Sequence, residues 1–283
     1  MPTRLSRMAD IKLAAGEVRC YSALVTFVML TASLVGFAAL GAQSASASTS
    51  KSSGSTSKLC KRDQHLAVTT QGGQRFVVRN DFWGTKKFCV TNTSKRPNFT
   101  VVKTGSNFLG GRVMAYPYVF TGCAWGICTP DSGLPARAPD LRSPEATWHT
   151  SDPASGRWNA AFDLWFAKRN IRTGQAQGAE LMIWLHTRNL PLDSTRIVWV
   201  DGVRWYLAHW VARGAGGTSW NYIQFRRVHP RLGVNNLRLN PFIHEAERNS
   251  LVSRRWWLLN IEAGFEIQHG GKGLSGKRFW ARS

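Results

Sequence analysis

From Gln74 to Ser283 the chain is written in short alternating runs broken by Gly, Asn, Asp and Pro. Clear examples are Arg75–Arg79, Lys87–Thr91, Asn98–Lys103, Arg112–Tyr116, Asn159–Phe166, Arg196–Val200, Arg204–Ala208, Ser219–Phe225, Trp256–Glu262 and Phe265–Gln268. A period of two puts successive side chains on opposite faces of a strand. Many such runs at close spacing predict an all-β sandwich or barrel. One stretch differs. Leu239 to Asn249 has few β-branched residues and carries Pro241 near its start, which predicts the single helix, docked through Phe242, Ile243 and Ala246.

Ala179 to Leu185 is the most apolar of these segments, six residues of seven, with one carboxylate, Glu180, at its head. As a strand it sends Leu181, Ile183 and Leu185 to one face, and Glu180, Met182 and Trp184 to the other. The first face is aliphatic core. The second, an acid with a thioether and an indole, suits a sugar-binding cleft. Two further acids sit in strand-like apolar runs. Asp163 shares a face with Asn159 and Trp165, opposite Phe162, Leu164 and Phe166. Glu266 shares one with Gly264 and Gln268, opposite Phe265 and Ile267. Each strand thus turns its apolar side to a common core and its acid to a common other side. Burying an acid in an apolar surround is costly without compensation. Separate salt bridges on a solvated face would provide it, and so would paired carboxylates acting as acid and nucleophile on a glycosidic bond.

The chain begins with basic residues, an uncharged and mostly apolar run from Tyr21 to about Ala42, and Ala45-Ser46-Ala47 as a cleavage motif. Residues 1–47 therefore read as a signal peptide, with an uncleaved anchor as the alternative. Residues 48–58, all Ser, Thr, Gly and Lys, read as a flexible tether, and 59–283 as one folded domain. In an exported chain the even set Cys60, Cys89, Cys123 and Cys128 points to disulfides. Paired in sequence order, they give one medium loop, Cys60–Cys89, and one tight staple, Cys123–Cys128. No C-x-x-C pair or His cluster has the spacing of a metal site.

The net charge is +21, and +19 for the 33 basic and 14 acidic residues that follow the leader. Such a balance attracts polyanions. The basic residues are scattered pairs, without a stripe on one element or a nucleic-acid-binding motif, so no nucleic-acid partner is expected. An acidic envelope or wall fits an exported protein better. Thirteen Trp exceed what packing a domain of this size needs. The flat face and polar edge of an indole suit stacking on a pyranose ring, and Trp83, Trp165 and Trp184 are the candidates.

Five segments in order carry a resemblance: Asn80-Asp81-Phe82-Trp83-Gly84, Tyr116–Leu134, Asn159–Phe166, Glu180-Leu-Met-Ile-Trp184 and Ala263–Leu274. Together they resemble glycoside hydrolase family 12, secreted endo-β-1,4-glucanases and xyloglucanases. The resemblance implies a β-jelly roll of two antiparallel sheets, the concave one forming a groove for polysaccharide. It implies a retaining mechanism on cellulose-type glucans or xyloglucan, with no metal or cofactor. By motif position, Glu180 is the nucleophile, Glu266 the general acid and base, and Asp163 a hydrogen-bonding neighbour that tunes Glu180. Trp83, Asn159, Met182 and Trp184 match substrate-binding positions. The expected product is a secreted monomer acting on β-glucan, without stable membrane association once the leader is removed. Asp81 and Gln268 depart from the family pattern, where Asn and Trp are usual, and bear on which glucan is preferred. A non-catalytic carbohydrate-binding jelly roll is the rival reading.

Overall fold

A computed structural model describes residues 55–105, 112–153 and 155–283; the predicted leader and most of the predicted tether lie outside them. The first strands are β1 (Thr56–Leu59), β2 (Gln64–Thr69), β3 (Arg75–Phe82), β4 (Cys89–Thr93), β5 (Phe99–Lys103) and β6 (Ala115–Ala124). Two short strands, β7 (Ile127–Cys128) and β8 (Ala136–Arg137), precede β9 (Glu145–Ser151), β10 (Arg157–Ala167) and β11 (Ala179–Arg188). The chain continues through β12 (Ile197–Val200), β13 (Val203–Arg213), β14 (Ser219–Arg227), β15 (Gly233–Arg238), β16 (Trp257–His269) and β17 (Ser275–Arg282).

These strands form two sheets, as the jelly-roll expectation requires. The smaller runs β1-β4-β5-β17-β9-β15, and the larger runs β12-β13-β14-β11-β10-β16-β6-β3-β2, with β7 and β8 attached to β6 and β16. All pairings are antiparallel except one: β11 and β14 run parallel, with Glu180 opposite Tyr222. The apolar faces meet between the sheets. Trp148 of β9 lies 5.1 Å from Phe265 of β16 and 6.0 Å from Phe162 of β10, ring centre to ring centre. Phe76 and Phe279 close the other side at 5.2 Å, edge to face. The expected helix is there as α1 (Asn240–Arg248), with Pro241 in its first turn. Phe242 drives into the sheet against Trp205 and Phe225, at 4.9 and 5.2 Å.

Three boundaries differ from the sequence reading. Strand β1 begins at Thr56, so the last residues of the segment read as tether add an edge strand to β4. The run Arg112–Tyr116 marks only the start of β6, which begins at Ala115 and continues to Ala124. The runs Trp256–Glu262 and Phe265–Gln268 are one 13-residue strand, β16. Gly264 is not a break there but a point of contact. A Cβ on it would stand 2.7 Å from both the Pro117 carbonyl oxygen and the Tyr116 ring, so only Gly lets β16 lie this close to β6.

The disulfides are Cys60–Cys89 and Cys123–Cys128. The first closes a loop of sequence separation 29 and ties β4 back to the turn after β1. A loop of that size is worth about 3–4 kcal/mol by restricting the unfolded chain. Replacing Cys60 and Cys89 together by Ser is expected to lower the melting temperature by roughly 10 °C, read by calorimetry. An unchanged midpoint would contradict that contribution.

Candidate active site

The face of the larger sheet turned away from the core carries a second apolar layer, including Tyr116, Ala161, Trp165, Met182, Trp184, Trp220 and Tyr222. Strand β10 runs through its middle, between β11 and β16. In register, Trp165 lies opposite Glu180 and Asp163 opposite Met182, so Asp163 and Glu180 are diagonal neighbours on one face. On the other side of β10, Asn159 lies opposite Glu266. A bulge between Ala160 and Ala161 shifts the register of β10 on β11 between these two rows.

A cleft opens on this face, with about 910 Å³ of non-atom space when the open solvent at its mouth is included. Asp163, Glu180 and Glu266 all line it, as do Trp83 and Trp184. These five predicted residues come together on the predicted face. Asn159 and Met182 are placed differently: both are buried and neither lines the cleft. Asn159 Nδ2 donates to Glu266 Oε2 at 2.6 Å, and the Glu266 backbone N–H donates to Asn159 Oδ1 at 3.4 Å. Met182 Sδ accepts the Tyr222 hydroxyl at 2.9 Å. The expected indole platform Trp165 is also displaced. It lines a smaller pocket beside Cys123 and Glu262, and its Nε1 donates to Asp163 Oδ2 at 3.0 Å.

Several cleft residues were not singled out in the sequence. Trp220 Nε1 donates to Glu180 Oε2 at 2.7 Å, with both side chains buried. Tyr222 stacks on Trp210 at 4.3 Å and 21°, and Gln224 Nε2 donates to Asp193 Oδ2 at 2.9 Å. Applying the period of two to Ser219–Phe225 puts Trp220, Tyr222 and Gln224 on one face, so the signal was present. Nothing local marks Asp193, which reaches the cleft from the loop after β11.

The electrostatics tie the acids to common neighbours. Burial, followed by the charges of Glu266, Glu180 and Asp163, holds the Tyr222 phenol well above its usual range. Burial, then Asp163, Glu262 and Glu266, does the same for Tyr116. Both phenols therefore remain protonated donors at any working pH. Tyr116 Oη, Trp83 Nε1 and Trp184 Nε1 are buried polar atoms on cleft-lining residues, without a protein partner among the described residues. Sugar hydroxyls can supply those partners. Among the described residues no group of three or more His, Cys, Asp or Glu is placed to hold a metal ion.

Residues 74–282 match Glycosyl hydrolase family 12. Endoglucanase S of Pectobacterium parmentieri is 31% identical over 171 residues, which span 57% of this chain and 62% of that relative's length. A metagenome-derived family 12 endoglucanase shares the fold with TM-score 0.72 and 36% identity, over 80% of this chain and 97% of its own. An endoglucanase from Rhodothermus marinus follows at TM-score 0.71 and 34% identity, over 80% and 98%. A Bacillus licheniformis xyloglucanase, at 21% identity and TM-score 0.70 over 80% and 99%, shares the fold. With the family match covering most of the sequence, this chain belongs to glycosyl hydrolase family 12.

Proposed function

We propose that the protein is an exported, retaining endo-β-1,4-glucanase that cleaves cellulose-type glucans or xyloglucan. The observation that carries this reading is the convergence of Glu180, Glu266 and Asp163 on one indole-flanked cleft, each from a different strand. The likeness to endoglucanases supports the substrate class. In the first step a Glu180 carboxylate oxygen bonds to the anomeric carbon as the glycosidic C–O bond breaks, and Glu266 gives its proton to the leaving oxygen. In the second, Glu266 takes a proton from water, the water oxygen bonds to the anomeric carbon, and Glu180 leaves. The β-configuration is restored, and Glu266 is protonated again. Asp163, diagonal to Glu180, shapes the field in which the nucleophile stays ionised. Asn159 aims Glu266. Retention requires the two catalytic carboxyls roughly 5–5.5 Å apart, against about 6.5–9.5 Å for inversion.

Reducing ends released from xyloglucan, carboxymethyl cellulose and mixed-linkage glucan test the reading. Release with a rapid fall in viscosity, the mark of internal cleavage, is expected on at least one of them. Binding to all three without release would leave a sugar-binding jelly roll instead.

Trp220 supplies a sharper prediction. Its hydrogen bond to a carboxylate oxygen favours the ionised form of Glu180 and fixes its orientation. A hydrogen bond to a charged group is worth about 1.5–3 kcal/mol. Trp220→Phe keeps the ring and removes the donor, so kcat should fall roughly 10- to 100-fold, with the greatest loss at the acid end of the pH profile. An unchanged kcat and profile would deny Trp220 this role.

A further inference from the structure

A neutral glucan makes no use of a net charge of +21. Part of that charge is gathered at one end of the larger sheet. Arg204 stands at the start of β13, Arg227 at the end of β14, Arg188 at the end of β11 and Arg157 at the start of β10. These four strands are consecutive neighbours; Arg204 lies on the cleft face with Tyr206, whereas Arg227 and Arg188 pair with the core residues Trp205 and Trp158 and leave the sheet's end on the other face, Arg188 about three residues beyond the level of Arg227. At about 4.8 Å per strand the belt is roughly 15 Å across. Arg231, in the turn after β14, joins it, since its backbone N–H donates to the Leu185 carbonyl of β11 at 2.9 Å. Arg204 Nη2 lies 3.2 Å from His229 Nε2, and Arg227 Nε donates to the His229 carbonyl at 2.9 Å.

Among the described residues, none of the five arginines forms an ion pair with a carboxylate. The acids near this end face other partners: Asp152 lies 3.7 Å from His186 Nδ1, Asp193 accepts from Gln224 Nε2, and Asp201 pairs with Arg238. Among the described residues the Nε atoms of Arg157 and Arg188 are buried without a hydrogen-bond acceptor. Burial, then the neighbouring Arg231 charge, lowers the pKa of Arg227. Beside Arg204, its cross-strand partner Trp199 is 66% exposed. Trp199 shares a face with Ile197, and the ladder Ile197–Tyr206–Arg226–Trp184 places that face on the same side of the sheet as the cleft.

Guanidinium forks match carboxylates two-point, and an exposed indole offers a stacking plane for a sugar ring. We propose that this end of the sheet is a second carbohydrate site, one that binds a chain of uronate residues and so holds the protein on an acidic polysaccharide matrix. The exposed Trp199 plane beside Arg204, on the cleft side of this end, favours a sugar acid over nucleic acid or lipid. The binding does not depend on which neutral glucan the cleft cleaves.

The test is fluorescence anisotropy of a labelled oligogalacturonate with the full chain. Combined Arg188→Gln, Arg204→Gln, Arg227→Gln and Arg231→Gln should weaken binding at least about 10-fold, with hydrolysis of a soluble neutral glucan unchanged. A charge-matched control, Lys61→Gln, Arg62→Gln, Lys95→Gln and Arg96→Gln, should leave binding close to wild type. Trp199→Ala should weaken the oligogalacturonate and not duplex DNA. If the fourfold variant loses glucan hydrolysis and so fails to fold, the exposed pair Arg204→Gln and Arg231→Gln replaces it, with a loss of at least about 3-fold expected. Equal loss in the control would overturn the proposal. So would equal binding of a fully methyl-esterified oligomer, or equally tight binding of duplex DNA or anionic phosphatidylserine vesicles.

Discussion

Glu180→Gln should lower kcat on a soluble glucan by roughly 10⁴-fold or more, because the amide cannot form the glycosyl–enzyme bond. The change is nearly isosteric, and the Trp220 N–H retains an oxygen to bond at that position. The melting temperature should therefore move little. Glu180→Gly with added azide gives a second readout. Azide entering from the vacated side displaces the leaving group once, with inversion, and yields the α-glycosyl azide. Residual activity within 10-fold of wild type would remove Glu180 from the nucleophile's role.

Glu266→Ala has a different signature. General acid–base catalysis contributes about 10²–10⁴-fold, and the loss should scale with how much the leaving group needs a proton. On polymeric glucan the full loss is expected. On an aryl glycoside with an acidic phenol the first step needs little help, so the glycosyl–enzyme accumulates and a burst appears. Azide should then restore turnover and give the β-glycosyl azide, since it attacks an intermediate already inverted once. The contrast between α-azide from one variant and β-azide from the other assigns the two acids independently of stability. Identical losses on both substrates, with no rescue, would contradict the assignment of Glu266.

Much of this site was legible in the sequence because a strand's period of two is local. The faces of β10, β11 and the end of β16 follow from Phe162 and Leu164 against Asp163, and from Leu181 and Ile183 against Glu180. What escaped has physical causes. Strand β17 carries exposed Lys277 and Arg278 next to each other, and a register shift between Gly276 and Arg278 interrupts its alternation. Strand β15 is interrupted between Val234 and Leu237 in the same way. The exposed edge strand β1 has nothing apolar before Leu59, so it looks like linker. The parallel pairing of β11 with β14 is a long-range choice that no window of sequence records, yet it sets Trp220 and Tyr222 beside Glu180. Asn159 and Met182, expected as sugar contacts, are buried in the sheet and hydrogen-bond to Glu266 and Tyr222, which line the cleft.

The central claim is double displacement through Glu180 and Glu266, and the anomeric form of the fresh product tests it most directly. Proton NMR should follow hydrolysis of a cello-oligosaccharide faster than mutarotation. The account predicts that the β-anomer of the new reducing end appears first and the α-anomer only later. Initial release of the α-anomer would contradict it.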